Sequence, residues 1–120
     1  MIFQRNIPEW VKRFPSENQR RALIALAKAS KGPFEKPREM NFALYGFKDD
    51  LALAEVRRRL EKEGWGVSVT QQADAPSHYV ITATKNNYQV TKENYYQDSI
   101  MFHRLAEQYE AGFDGWFASS

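Results

Sequence analysis

Cysteine is absent from the 120-residue chain, which excludes disulfides and thiolate metal sites and agrees with a reducing compartment. Histidine is nearly absent: His78 and His103 stand far apart, and no His-x-x-x-His, paired-carboxylate or nucleophile-elbow pattern accompanies them. No apolar run approaches the ~20 residues needed to cross a bilayer, and Met1-Ile2-Phe3-Gln4-Arg5 does not open a secretory signal. Gly64-Trp65-Gly66 is too short to cradle a phosphate and falls at a helix end, not a helix start. These absences predict a cytoplasmic protein that is not an enzyme and uses neither metal nor cofactor.

What is present suits one folded domain. Hydrophobic residues make up 42% and aromatic residues 14%, enough for a single sizeable core at this length. The net charge of +2 conceals a division. Residues 1–38 carry nine Lys/Arg against Glu9, Glu17 and Glu35, whereas the remainder carries eight basic and twelve acidic side chains. A basic front therefore precedes an acidic body, and each can attract a different partner.

Pro8 can open a short helical turn, and Trp10 and Phe14 stand at i,i+4 spacing, so residues 1–15 read as an arm that packs through its rings. Ser16-Glu17-Asn18-Gln19 has the form of a capping box. The helix it starts runs through Leu23, Ile24 and Ala27 to Lys31, stopped by Gly32-Pro33. Met40, Phe42 and Leu44 then alternate with Asn41, Ala43 and Tyr45 in a half-buried strand ending at Gly46. Asp49-Asp50 caps a second helix with the stripe Leu53, Val56 and Leu60, closed by Gly64. Trp65–Thr70 forms a second strand, Ala73–Ser77 turns, and His78–Lys85 forms a third. Asn86–Gln89 is a polar connection to Thr91, the cap of a third helix. From Arg38 onward the order is β-α-β-β-α-β, predicting an α+β, ferredoxin-like fold with a four-stranded antiparallel sheet and an additional N-terminal helix over domain residues 16–120.

Two conspicuous clusters have plain explanations. Arg57-Arg58-Arg59 fans around its helix, with Glu61 four residues after Arg57 and Glu63 four after Arg59, so it reads as a solvated face. Of the strand aromatics only Tyr45 is placed to stack on a base, and the RRM signature is missing. Tyr95 reads as core with Phe102, Ala106 and Tyr109; Tyr88 and Tyr96 fit either core or surface.

The C-terminal section is the most specific. Leu105, Ala106 and Tyr109 lie at helical spacing and stop near Gly112, where a residue without Cβ can take φ > 0. A short strand follows, broken by Asp114-Gly115. Phe113-Asp114-Gly115-Trp116, together with Phe34–Tyr45 and Leu60–Val67, resembles the RraB family of ribonuclease E regulators. The family motif usually has Tyr where this chain has Phe113. The resemblance implies a ferredoxin-like domain with Phe113, Gly115 and Trp116 as its structural motif. It also implies a protein partner, ribonuclease E or a related target, whose RNA cleavage is modulated. With the acidic body as the docking surface, Asp74, Glu107, Glu110 and Asp114 are the candidate partner-binding residues. The alternative is an RNA-binding module contacting phosphate through Arg20, Arg21 and Lys28; a small-ligand sensor is a third reading. An aromatic after Asp-Gly in a terminal strand predicts a buried Trp116. Trp116→Ala is expected to cost about 3–5 kcal/mol in a denaturant titration, and an unchanged midpoint would make Trp116 a surface residue.

Overall fold

The computed structural model describes residues 7–30 and 33–118, the last five by their backbone alone. Eight elements follow in order: α1 (Glu9–Lys12), α2 (Glu17–Ala29), β1 (Arg38–Phe47), α3 (Asp50–Lys62), β2 (Gly66–Gln72), β3 (Ala75–Tyr88), α4 (Lys92–Gln108) and β4 (Gly112–Ala118). The strands form one antiparallel sheet in the order β2-β3-β1-β4. The fold is thus α+β, with helices packed on the sheet.

Alternation in β1 sorts most of its side chains as expected; the exception is Asn41, buried on the opposite row with its Oδ1 accepting from the Thr84 hydroxyl at 2.6 Å. Met40, Phe42 and Leu44 are fully buried, whereas Tyr45 is exposed. Leu44 lies opposite Ile81, and Phe42 opposite Ala83, so the buried rows of neighbouring strands share one face. Onto it come Val56 and Leu60 from α3, and Tyr95, Phe102, Leu105 and Ala106 from α4. The Phe42 and Phe102 rings stack 4.5 Å apart, and the Trp65 indole stands edge-on to both.

Local chemistry sets the helix ends. Asp49 Oδ1 accepts from the Leu51 amide at 3.0 Å, and Thr91 Oγ1 from the Asn94 amide at 3.2 Å. Ser16 Oγ accepts from the Gln19 amide at 3.4 Å. The reciprocal half of that capping box is absent, because the Gln19 carboxamide accepts from the Ser99 hydroxyl on α4 instead. At the far end of α2, which stops at Ala29, buried Ser30 donates to Leu26 O and accepts from Arg38. The expected stop at Gly32 falls outside the described residues.

Three expected boundaries move, each for a backbone reason. Gly46 does not end β1: with φ +88° it forms a bulge between the Leu44–Ile81 and Phe47–Tyr79 pairs, and the strand reaches buried Phe47. Asn86–Tyr88 is strand rather than connection, since Asn87 at φ +56° makes a second bulge that lets Tyr88 pair with Arg38. The β2–β3 turn shrinks to Ala73-Asp74. Pro76 is tolerated inside β3 because β3 there overhangs β1 and its register with β2 is irregular.

The C-termini of α3 and α4 close with Schellman bonds. Trp65 N donates to Leu60 O at 3.0 Å, and Ala111 N to Ala106 O at 2.8 Å. Gly64 supplies the left-handed residue after α3, at φ +90°; after α4 it is Glu110, at φ +54°, and not Gly112. Gly112 serves another contact: a Cβ there would overlap the far end of the Tyr45 ring, which would have to shift. Tyr45, the strand aromatic that sequence offered for base stacking, lies against Gly112 with part of its ring exposed.

The front arm enters the core. Trp10 and Phe14 pack on Tyr95 and Tyr96 of α4, with Phe14 at 5.0 and 4.7 Å. Trp116 lies opposite Phe42 in the β1–β4 register; its side chain, like those of Asp114 and Phe117, is outside the described atoms. Gly112→Ala is expected to displace Tyr45 and cost about 1–3 kcal/mol, the usual range for overpacking. A melting temperature equal to wild type would show that the ring is free to move aside.

Candidate functional site

The division of charge along the sequence becomes a division in space. β1 runs from Arg38 toward Phe47, and its partners β3 and β4 run back. One end of the sheet therefore receives the start of α3, the end of α4 and the β2–β3 hairpin. Asp49, Asp50, Asp74, Glu107 and Glu110 all sit there, and all are exposed. The opposite end receives the start of β1 at Arg38 and the start of α4.

At the acidic end, Asp49 and Glu110 line one shallow cleft of about 360 Å³, floored by Phe47, Ala52 and Tyr109 and flanked by Lys48. Leu51, beside Asp49 and Asp50, is 76% exposed, the most open large apolar side chain among the described residues. The cleft wall is braced across the helices: Tyr109 donates to Glu55 Oε2 at 2.8 Å, and Arg59 donates to Gln108 Oε1 at 2.9 Å while lying over the Tyr109 ring. Of the sequence-selected acids, Glu110 lines the cleft and Glu107 is one turn back on α4, 3.5 Å from His103 Nε2. Asp74 stands apart on the hairpin tip, which overhangs the last β1–β3 pair. The carboxylate of Asp114 lies outside the described atoms.

The basic front is largely spent on itself. Glu9 pairs with Lys12 and Arg13 at 3.6 Å, and Glu17 with Arg21 at 2.7 Å. Arg20 donates to Phe14 O at 2.8 Å, tying the arm to α2. Arg38 is buried and serves the connection before it, donating to Ser30 Oγ at 2.9 Å and Phe34 O at 2.6 Å; burial lowers its pKa, and Glu35 opposes that shift. Among the sequence-selected basic residues, Arg21 and Lys28 are the exposed ones. The Arg57–Arg59 run is the solvated face expected, with Arg57 3.4 Å from Glu61, although Arg59 turns to Gln108 rather than Glu63.

One polar feature escaped sequence reasoning. Tyr88, buried beneath the bulge, donates to Asp98 Oδ2 at 2.6 Å. Burial raises the Asp98 pKa, while the Tyr88 hydrogen bond and nearby Lys85 lower it by less; the Tyr88 pKa is raised, first by burial and then by Asp98. Asp98 lies in the polar stretch of α4, where spacing alone gives no sign of a hydroxyl arriving from a strand.

Comparison with known protein families matches residues 16–117 to RraB, described as Regulator of ribonuclease activity B. The chain belongs to the RraB family. Comparison with curated proteins and with solved structures gave no match. The RraB match begins at Ser16, the cap of α2, and spans every strand, so both ends of the sheet belong to the family domain. Trp10 and Phe14 precede the match yet fill its aromatic core. Among the described residues of this RraB chain, no three His, Cys, Asp or Glu side chains come together as metal ligands, and no helix is long and apolar enough to cross a membrane.

A raised Asp98 pKa means that the folded state holds this proton more tightly than the unfolded chain. The contribution to stability is complete below the unfolded value and is lost as pH rises through the folded one. Asp98→Asn is therefore expected to gain stability relative to wild type between acid and neutral pH, followed by urea titrations across that window. A constant difference at every pH would show that Asp98 does not titrate differently on folding.

Proposed function

We propose that the protein is a non-enzymatic, cytoplasmic regulator that binds a ribonuclease, ribonuclease E or a related target, and modulates its RNA cleavage. Family membership supports regulation of a ribonuclease. The observation that carries the docking site is the gathering of exposed acids at one end of the sheet. There, Glu110 and Asp49 line one cleft, Glu107 stands one turn back on α4, and Leu51 offers an apolar contact beside Asp49. Carboxylates so gathered steer an Arg- or Lys-rich segment toward the surface. Asp74 on the overhanging hairpin and Asp114 on β4 extend the same attraction.

The ferredoxin-like arrangement is part of this reading. It is supported by the β-α-β-β-α-β order from Arg38 onward and by antiparallel pairing in the order β2-β3-β1-β4. We treat residues 1–15 as an arm of one domain over residues 16–120.

RNA contact through the front of the chain is the weaker reading, because Arg20 and Arg38 have structural hydrogen bonds and Lys12, Arg13 and Arg21 have acidic neighbours. The test compares Glu107→Lys/Glu110→Lys with Arg21→Glu/Lys28→Glu by calorimetric titration against ribonuclease E and against RNA. Arg20 is left intact because its change would loosen the arm. The acidic-end variant is expected to lose about ten-fold in affinity for the ribonuclease, ~1.4 kcal/mol. Wild-type binding should weaken as salt rises, since exposed charges are screened over about 8 Å at physiological ionic strength. Loss confined to the Arg21/Lys28 variant, with RNA as the lost ligand, would replace the regulator by an RNA-binding module.

A further inference from the structure

A groove of about 920 Å³ runs between α3 and α4, on the helical side of the sheet and away from the acidic cleft except at Gln108. The two helices lie on the sheet with little close backbone approach to one another. They are joined at one end, through Arg59 to Gln108 and Glu55 to Tyr109. Beyond that bridge the gap is open, with Trp65 and Tyr88 at its floor. Along α4 the lining extends from Asn94 to Gln108, about 21 Å at ~1.5 Å per helical residue. That length matches about six residues of extended chain at ~3.3 Å each.

Three chemical features define an occupant. Cations outnumber carboxylates on the rim by one, Arg59, Lys85 and Arg104 against Glu63 and Asp98; the Tyr88 hydroxyl engages Asp98, while Arg59 reaches Gln108 and Lys85 stands over the Trp65 ring. Side-chain amides are abundant, with Asn86, Asn87 and Gln89 on one wall and Asn94, Gln97 and Gln108 on the other. Such groups offer both donors and acceptors to a peptide backbone. Apolar contact is available on α4, where Ile100 is 48% exposed and Met101 is half-buried. A fourth observation concerns the floor itself. Trp65 is 2% exposed, and its indole N–H has no acceptor among the described residues, a rarity for a buried donor. Lys85 Nζ stands 4.5 Å above the same ring.

We propose that this groove binds an extended peptide segment of a protein partner, one that carries carboxylate side chains for Arg59, Lys85 and Arg104 and an apolar side chain for Ile100 and Met101. Single-stranded RNA fits less well. Its bases need exposed rings to stack on, and the groove's rings, Trp65 and Tyr88, are buried. Glu63 and Asp98 also oppose a polyanion. The proposal adds a second docking surface, opposite in sign to the acidic end, and does not depend on a ribonuclease being the partner there.

The test uses the full chain and three fluorescent probes: a decapeptide alternating Glu and Leu, its Lys–Leu counterpart and decauridylate. Anisotropy titrations are paired with amide and indole NMR spectra. The Glu–Leu peptide is expected to bind saturably, to shift the Trp65 indole resonance, and to lose about ten-fold in affinity on Arg104→Glu, as for a charge pair reversed at an interface. The Lys–Leu peptide should gain on the same change. Ile100→Ser, which removes the apolar contact without adding charge, should weaken both peptides, and Arg21→Glu/Lys28→Glu should leave them unchanged. Arg104 and Ile100 are exposed on α4, and unshifted core resonances will show that the variants fold. Three outcomes overturn the proposal: no shift at the groove with any peptide, tighter binding of decauridylate than of the Glu–Leu peptide, or loss of peptide binding only in the Arg21/Lys28 variant.

Discussion

The stack of Phe42 on Phe102 holds the molecule together. The rings lie 4.5 Å apart at an interplanar angle of 12°, joining the middle of β1 to the middle of α4. Trp65 stands edge-on to both and carries the end of α3 and the start of β2 into the same cluster. Tyr95 extends the cluster to Phe14 and Trp10, so the arm before the family domain shares its core. Aromatic pairs of this kind add roughly 0.5–1.5 kcal/mol each beyond the area they bury. A single cluster thus touches the arm, the sheet, α4 and the turn that follows α3, with Trp65 at the floor of the groove between the two helices.

Charge is organised around that core by topology. An antiparallel sheet sends alternate loops to opposite ends, and the acids of residues 49–50, 74 and 107–110 come from segments that reach the same end. The basic front, by contrast, is held by short-range pairs and by hydrogen bonds to main-chain oxygens. A cation committed to a carbonyl or a neighbouring carboxylate has less to offer a phosphate. A regulator that docks through its acidic end is thus easier to reconcile with the structure than one that grips RNA through its front. Glu110 adds to that picture, since its side chain projects from a left-handed residue, a conformation costing an L-residue roughly 1–2 kcal/mol.

Much of the architecture was legible because it rests on local patterns. The alternation Met40, Phe42, Leu44 names its own buried face. The caps Ser16, Asp49 and Thr91 each serve an amide two or three residues on, a distance that sequence spans directly. Bulges escape a reading by spacing, because a residue at positive φ looks the same in sequence whether it ends a strand or kinks one. Gly46 reads as a strand end and Asn87 as part of a connection, although the register continues past both. Of the candidate site, Glu107 and Glu110 stand out in sequence by their charge, but their neighbours Asp49 and Leu51 do not, since a cap and an apolar helix position both have ordinary local explanations.

By itself the sequence determined the family, through residues 16–117, the kinds and order of the elements, and the unequal charge of front and body. The family rests on likeness along those residues, and the elements and the charge on spacing and composition; none of them needs a partner in space. Tertiary structure decided which charges remain available, because whether Arg20 or Arg38 is free depends on carbonyls that folding brings within reach. It also decided that Tyr88 would meet Asp98, that Gly112 would make room for Tyr45 rather than take positive φ, and that a groove would open between α3 and α4. Each is a contact between residues separated along the chain, and such contacts exist only once the strand register and the aromatic core have set the distances.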